Sequence, residues 1–155
     1  MAYTITDLID KFILIEQNGY EMFVRIAADE GADERIKSLA RVFANEERRH
    51  EERYKKLRDD IAREPDIEVD FRVYDRVTKF IYEFINSSRA IANNDIKAML
   101  EFCLDYEKEN LALVMSIQGV FADEKNGAET KAYSVLAEII NEEEKHAKNI
   151  EMFLK

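Results

Sequence analysis

The chain has little that would build a sheet or cross-link a small fold. Only four Gly and one Pro occur among its 155 residues, and its single cysteine, Cys103, cannot form an internal disulfide. The scarcity of Gly and Pro leaves few turns, while the abundant Glu, Lys, Ala, Leu and Ile favour long helices. The sequence therefore predicts an all-α fold, with one domain spanning residues 1–155.

An excess of basic residues is also missing. The formal net charge of −10 argues against nucleic acid as a partner, because phosphates require a basic surface. No apolar run is long enough to span a bilayer, and the first residues lack the basic and apolar regions of a signal peptide. We therefore expect a soluble, cytoplasmic protein with no membrane partner.

Four stretches show apolar residues at alternating steps of three and four, which is the pattern of a helix with one buried face. We call each such row of residues on one helix face a stripe. We predict helices at about 5–30, 33–64, 95–122 and 128–154. Thr4 or Thr6 would cap the first helix and Pro65 would stop the second. Asn93-Asn94-Asp95 would cap the third, and the last stripe should bury Ile150 and Phe153.

Each stripe is polar in its middle, where a bundle would otherwise place Leu or Ile. These seven positions are Glu16, Glu47, His50, Glu107, Asn110, Glu143 and His146. Burying an unpaired carboxylate costs on the order of several kcal/mol, and four carboxylates facing one another would also repel. Something cationic should therefore lie among them.

Turn signals place these groups at one level. The midpoint between Glu16 and Glu47 falls at Gly31 and Ala32, and that between Glu107 and Glu143 falls just before Asn126-Gly127. Residues equally far from a turn lie side by side in an antiparallel helix pair. The long segment 65–94, with an apolar pattern of its own, is expected to be a crossover that contains a short helix and makes the second and third helices parallel.

The spacing indicates a metal site. Glu47 with His50, and Glu143 with His146, are three residues apart and so share a helix face. Two divalent cations would neutralise four carboxylates, and carboxylate with imidazole suits iron or manganese, with zinc not excluded. The alternative is a metal-free core whose polar groups satisfy one another.

Several assignments stay open on sequence grounds. Both motifs read Glu-Glu-x-x-His, so Glu46 and Glu142 compete with their neighbours as ligands. Asn110 is either a hydrogen-bonding group beside the ligands or a buried amide. Gly19 fits a close helix approach, room beside the metals, or a glycine that the helix tolerates by chance. For the nearby tyrosines, Tyr20, Tyr54 and Tyr106, aromatic packing is favoured over a catalytic role.

These residues resemble the rubrerythrin branch of the ferritin-like superfamily over nearly the whole chain. Glu16-x-x-Gly19-x-x-x-Phe23 followed by Glu47-x-x-His50 is similar to its first half-motif. Glu107 followed by Glu143-x-x-His146 is similar to the second. The resemblance implies that Glu47 and Glu143 bridge two irons. Glu16 with His50, and Glu107 with His146, would supply the terminal ligands of one iron each.

The same resemblance implies an activity, namely reduction of hydrogen peroxide or handling of oxygen. We also expect the chain to form a homodimer. No Cys-x-x-Cys pair is present, so electrons would come from an external donor such as a rubredoxin. Phe23 and Val114 replace the usual Tyr, and Asn110 replaces an extra Glu. The other hypotheses are a ferroxidase or iron-storage protein and a non-enzymatic helical interaction module.

Overall fold

The structure, a computed structural model, describes residues 3–62, 68–86, 95–123 and 130–154, and this part of the chain is almost entirely helical. The helices are α1 (Ile5–Ala28), α2 (Glu34–Ala62), α3 (Phe71–Ile85), α4 (Ile96–Ala122) and α5 (Lys131–Leu154). Two short strands, β1 (Tyr3–Thr4) and β2 (Glu68–Val69), pair antiparallel. The all-α prediction is confirmed.

Side chains at the helix ends explain where α1 and α4 begin. Thr4 accepts a hydrogen bond from the backbone N–H of Asp7, whose carboxylate accepts one from the N–H of Thr4, which forms a capping box. Asp95 caps α4 by accepting from the N–H of Ala98. The predicted signals at Pro65, Asn93-Asn94 and Asn126-Gly127 lie outside the described residues.

The first helix ends at Ala28, before the predicted limit at residue 30. Asp29 has an extended backbone, and its carboxylate accepts a hydrogen bond of 2.9 Å from the N–H of Gly31. This local bond turns the chain out of the helix before Gly31 is reached.

Contacts along α1 and α2 show that the two helices are antiparallel. Asp10 near the start of α1 pairs with Arg58 near the end of α2 at 2.7 Å, and Gln17 further along bonds to Glu51 at 3.1 Å. The partner numbers fall as the α1 numbers rise. The turn between these helices contains Gly31, as the spacing of Glu16 and Glu47 predicts.

Helix α5 is antiparallel to both α4 and α2. Gln118 of α4 bonds to the carbonyl of Tyr133 near the start of α5, and Lys108 pairs with Glu151 near its end. Contacts of α2 with α5 run in the same sense and join Arg53 to Glu138 and Phe43 to His146. Helices α2 and α4 therefore run in the same direction, with α3 packed against α1 and α4.

Buried apolar residues from all five helices form one cluster. Ile150 belongs to it, but the prediction for Phe153 is wrong, because this ring is 61% exposed. Phe153 lies in the last turn of α5 and lines a surface pocket, so its ring stays open to water. Within the described residues, none of the helices combines the length and the apolar character needed to cross a membrane.

Candidate metal centre

The polar positions of the four stripes meet inside the protein. Among the described residues the buried polar and charged side chains are Glu16, Glu47, His50, Glu107, Asn110, Glu143 and His146. These are the seven positions that interrupt the apolar pattern in the sequence. Each of the four long helices contributes at least one of them.

His50 lies between two carboxylates from two other helices. Its Nδ1 is 3.7 Å from Oε2 of Glu16 on α1 and 3.7 Å from Oε1 of Glu143 on α5. The helical spacing of three places Glu47 on the same face of α2 as His50. The first Glu-x-x-His motif therefore points both of its polar groups into the centre.

His146 has a matching environment on the opposite side. Its Nδ1 is 3.1 Å from Oε1 of Glu107 on α4 and 3.7 Å from Oε1 of Glu47 on α2. The two imidazole rings meet edge to face with their centroids 4.5 Å apart. Each histidine thus faces one carboxylate from the other helix of its own hairpin and one from the opposite hairpin, which gives the centre an approximate twofold symmetry.

Within the described part of the chain, two groups of buried side chains could hold a metal ion. His50, Glu143 and His146 form one group, Glu47, Glu107 and His146 form the other, and the ligand atoms in each group lie within 4.8 Å of one another. Glu16 belongs to neither group and joins the centre through His50.

The unmet hydrogen-bonding capacity of the centre fits a cation. Both carboxylate oxygens of Glu47 and of Glu107 are buried and accept no hydrogen bond from an N–H or hydroxyl group of the described residues. Nδ1 of His50 and of His146 is buried without a hydrogen-bond partner in the same part of the chain. Buried carboxylates of this kind are normally paired or bound to metal, so the residues present fit a divalent cation.

Protons occupy part of the centre when no cation does. Burial raises the pKa of Glu47 and of Glu143 well above its ordinary value, and the carboxylates of Glu16 and Glu107 raise both further. Burial also raises the pKa of Glu16, but the polar groups of Glu47, His50 and Glu143 close to it outweigh burial and lower the pKa of Glu16 to about 2. Without metal, Glu16 therefore stays ionised beside neighbouring carboxyl groups that keep their protons.

Tyr54 belongs to the centre, although its sequence position favours simple aromatic packing. Its hydroxyl donates a short hydrogen bond to Oε1 of Glu143. Burial and the Glu143 carboxylate raise the pKa of Tyr54 well above its ordinary value, so the phenol keeps its proton. The available sequence signal was its position on the stripe, one helical turn beyond His50.

Gly19 leaves space that two polar groups use. A Cβ atom at this position would lie 2.6 Å from Oε2 of Glu47 and 2.7 Å from the hydroxyl of Tyr106. Real Cβ atoms do not approach other atoms so closely, so the absent side chain is what admits Glu47 and Tyr106. Gly19 therefore provides room for a buried carboxylate and a tyrosine hydroxyl.

The rival glutamates lie outside both groups. Glu46 is half-buried and forms an ion pair with Arg49, and Glu142 is also half-buried. Burial therefore favours Glu47 and Glu143 as the ligands, as the register predicts. Asn110 is buried with its Nδ2 unpartnered among the described residues, and Phe23 and Val114 are buried apolar side chains.

Comparisons with known proteins add no family to this description. A scan against protein-family models finds no match, and comparisons with curated proteins and with solved structures find none either. The chain is thus defined by an all-helical fold and a buried His/Glu cluster that could bind metal.

Proposed function

We propose that the chain is a rubrerythrin-like di-iron carboxylate protein built on a ferritin-like four-helix bundle. The observation that carries this proposal is the matched pairing of His50 and His146, each with carboxylates from two other helices. The shared direction of α2 and α4 supports the bundle, because such a chain needs a long crossover, and α3 lies within it.

Six side chains would hold the two metal ions. Glu47 and Glu143 would be shared by the two ions. Glu47 lies in a group with Glu107 and His146 of the other hairpin, and Glu143 lies in a group that includes His50 of the other hairpin. Glu16 with His50, and Glu107 with His146, would supply the remaining ligands of one ion each. This assignment is consistent with the twofold symmetry of the distances from the two histidines to these carboxylates. Iron is the proposed occupant, and the same donors accept manganese or a mixed Mn/Fe pair.

Bound ferrous iron would supply the two electrons that reduce hydrogen peroxide to water, and an external donor such as a rubredoxin would then restore them. The protein's own residues orient and protect the centre. Tyr54 fixes one oxygen of Glu143 by its hydrogen bond, and the space above Gly19 accommodates Glu47. Burial keeps bulk water away from the reacting groups.

Rapid mixing tests this activity. The anaerobically reduced, iron-loaded protein should be reoxidised by hydrogen peroxide faster than free ferrous iron in the same buffer. Glu143→Gln should remove this advantage, while Glu142→Gln, a change of the half-buried neighbour, should retain it. Equal rates for the protein and for free iron would exclude the peroxidase function. The cytoplasmic location and the homodimer stay predictions.

A further inference from the structure

The two groups of buried side chains that could hold a metal ion share one histidine. Glu47, Glu107 and His146 form the first group, and His50 and Glu143 form the second group together with the same His146. An imidazole that binds metal through one nitrogen almost always donates its other N–H to an acceptor, so His146 serves one ion. Within the described residues, a complete set of three donors is therefore assembled for one ion at a time.

The first group is the better match for a divalent cation. Its two carboxylates carry the charge that one such ion neutralises, whereas the second group has a single carboxylate. Both oxygens of Glu47 and of Glu107 are buried and accept no hydrogen bond from the described residues, and Oε1 of Glu107 lies 3.1 Å from Nδ1 of His146. Oε1 of Glu143, by contrast, accepts the hydrogen bond from Tyr54. An ion in the first group thus finds its donors close together and free of competing donors of this kind.

The donors that remain for a second ion are less well assembled. Glu16 belongs to neither group, and its Oε2 lies 3.7 Å from Nδ1 of His50. The ring of His50 meets that of His146 edge to face, with the centroids 4.5 Å apart. His50 must therefore separate from His146 before each ring can serve an ion of its own. The charge of the first ion also repels the second.

We infer that the centre takes up its two ions in a fixed order. The first ion binds at Glu47, Glu107 and His146, and the second binds more weakly on the side of Glu16 and His50. This order rests on the proposed metal centre and refines it. Two halves that look equivalent in the sequence bind with unequal affinity, because the donors of only one half are already gathered.

A titration of the full chain with Mn²⁺ tests the order, because these donors accept manganese. Chelator-treated protein is dialysed against rising concentrations of Mn²⁺, and elemental analysis counts the bound ions. We expect two steps whose dissociation constants differ at least about tenfold. Electron paramagnetic resonance should show an isolated ion at one Mn²⁺ per chain. The second ion should lower this signal, because neighbouring Mn²⁺ ions couple magnetically.

Two matched variants locate the first ion. Glu107→Gln and Glu16→Gln make the same change on opposite sides of the approximate twofold axis, so two equivalent halves would respond equally. We expect Glu107→Gln to weaken the first step at least about tenfold, and Glu16→Gln to leave it within about threefold while weakening the second step. Glu144→Gln, an exposed position next to Glu143, is the control and should retain both steps. Circular dichroism checks that the variants fold.

Three results would overturn the inference: two steps of equal affinity, a coupled pair of ions from the lowest occupancy onward, or equal effects of Glu107→Gln and Glu16→Gln on the first step. The wild-type titration decides the first two without any variant, so a variant that does not fold leaves the test intact. Protein that binds no Mn²⁺ at all would contradict the proposed metal centre and the order with it. Two ions that bind together in one step would contradict the order alone.

Discussion

The hydroxyl of Tyr54 on α2 donates a hydrogen bond to Oε1 of Glu143 on α5. It links one Glu-x-x-His motif to the other, because Tyr54 lies one turn beyond His50 while Glu143 begins the second motif. A carboxylate oxygen held in this way has a fixed orientation, which is how hydrogen-bonding partners position side chains that bind metal.

Replacing Tyr54 with Phe should weaken metal binding while leaving the packing largely intact. Loss of the hydrogen bond frees Glu143 and removes an interaction that stabilises its charged form, so protons compete better with metal. We expect affinity for at least one ion to fall about tenfold, the lower end for outer partners of metal ligands. Competition with a chromogenic chelator measures the change.

Tyr20→Phe is the matched control, because that half-buried ring lies under the guanidinium of Arg48, 4.3 Å from its centroid, and bonds to no residue of the centre. Its metal affinity should equal that of the wild type. Equal affinities for the wild type and Tyr54→Phe would show that the Tyr54 hydrogen bond does not position Glu143.

Two glycine substitutions separate helix propensity from space beside the metals. Gly19→Ala places a methyl group against Glu47 and Tyr106, and we expect it to reduce stability by about 1–3 kcal/mol and weaken metal binding. Gly119→Ala meets no atom within 4 Å and should stabilise α4 by about 0.5–1 kcal/mol. Urea unfolding with and without metal measures both effects.

A stabilising effect of Gly19→Ala, equal to that of Gly119→Ala, would contradict the account of this close approach. It would mean that Glu47 can move away from Gly19 without cost to the fold or to the metal site.

The stability of the metal-free protein should depend on pH with a defined sign. The pKa values of Glu47 and Glu143 are raised above 4.5, so the folded state binds these protons more tightly than the unfolded chain does. Their contribution is fully present below pH 4.5 and is lost as the pH rises through the raised values. Glu16, with its pKa of about 2, contributes the opposite trend only as the pH falls from 4.5 toward 2.

A bound metal ion would offset the cost of burying the ionised carboxylates of Glu47 and Glu143, because it takes the place of their protons. The difference in Tm between metal-loaded and metal-free protein should therefore grow as the pH rises above about 4.5. Thermal unfolding across this range, with chelator-treated protein as the reference, measures it. A difference that is constant with pH would argue against protonated carboxyl groups in the metal-free centre.

The oligomeric state distinguishes the proposed function from iron storage. We expect a mass in solution of twice 18.2 kDa, corresponding to a homodimer. Storage of mineral would need a hollow shell of many copies. Light scattering coupled to size-exclusion chromatography gives the mass, and a large closed assembly would favour the ferroxidase or storage alternative.

Helical periodicity was sufficient to predict the all-α fold and to single out the buried polar cluster. The reason is that Glu16, Glu47, Glu107 and Glu143 interrupt apolar stripes, and an ionisable residue on such a stripe has only the interior to face. The turn at Gly31 supplied the relative level of Glu16 and Glu47. Local patterns of this kind are readable because each depends on one helix or one hairpin.

Contacts between distant helices were not predictable in the same way. The Tyr54 hydrogen bond and the edge-to-face contact of His50 with His146 depend on how hairpins pack, which no single stripe specifies. The prediction for Phe153 was wrong for a related reason: its position fits the α5 stripe, but the ring is 61% exposed in a surface pocket that it lines together with residues of α2 and α4. Burial at a helix end depends on how closely the neighbouring helices pack there, which one stripe does not specify.

The central claim is that the buried His/Glu cluster binds two metal ions. Elemental analysis of protein purified after growth with iron and manganese tests it most directly, with Glu47→Gln and its half-buried neighbour Glu46→Gln as a matched pair. We predict two ions per chain in the wild type and in Glu46→Gln, and fewer than one in folded Glu47→Gln. Wild-type protein that retains no metal, or a Glu47→Gln variant that retains both ions, would contradict the claim.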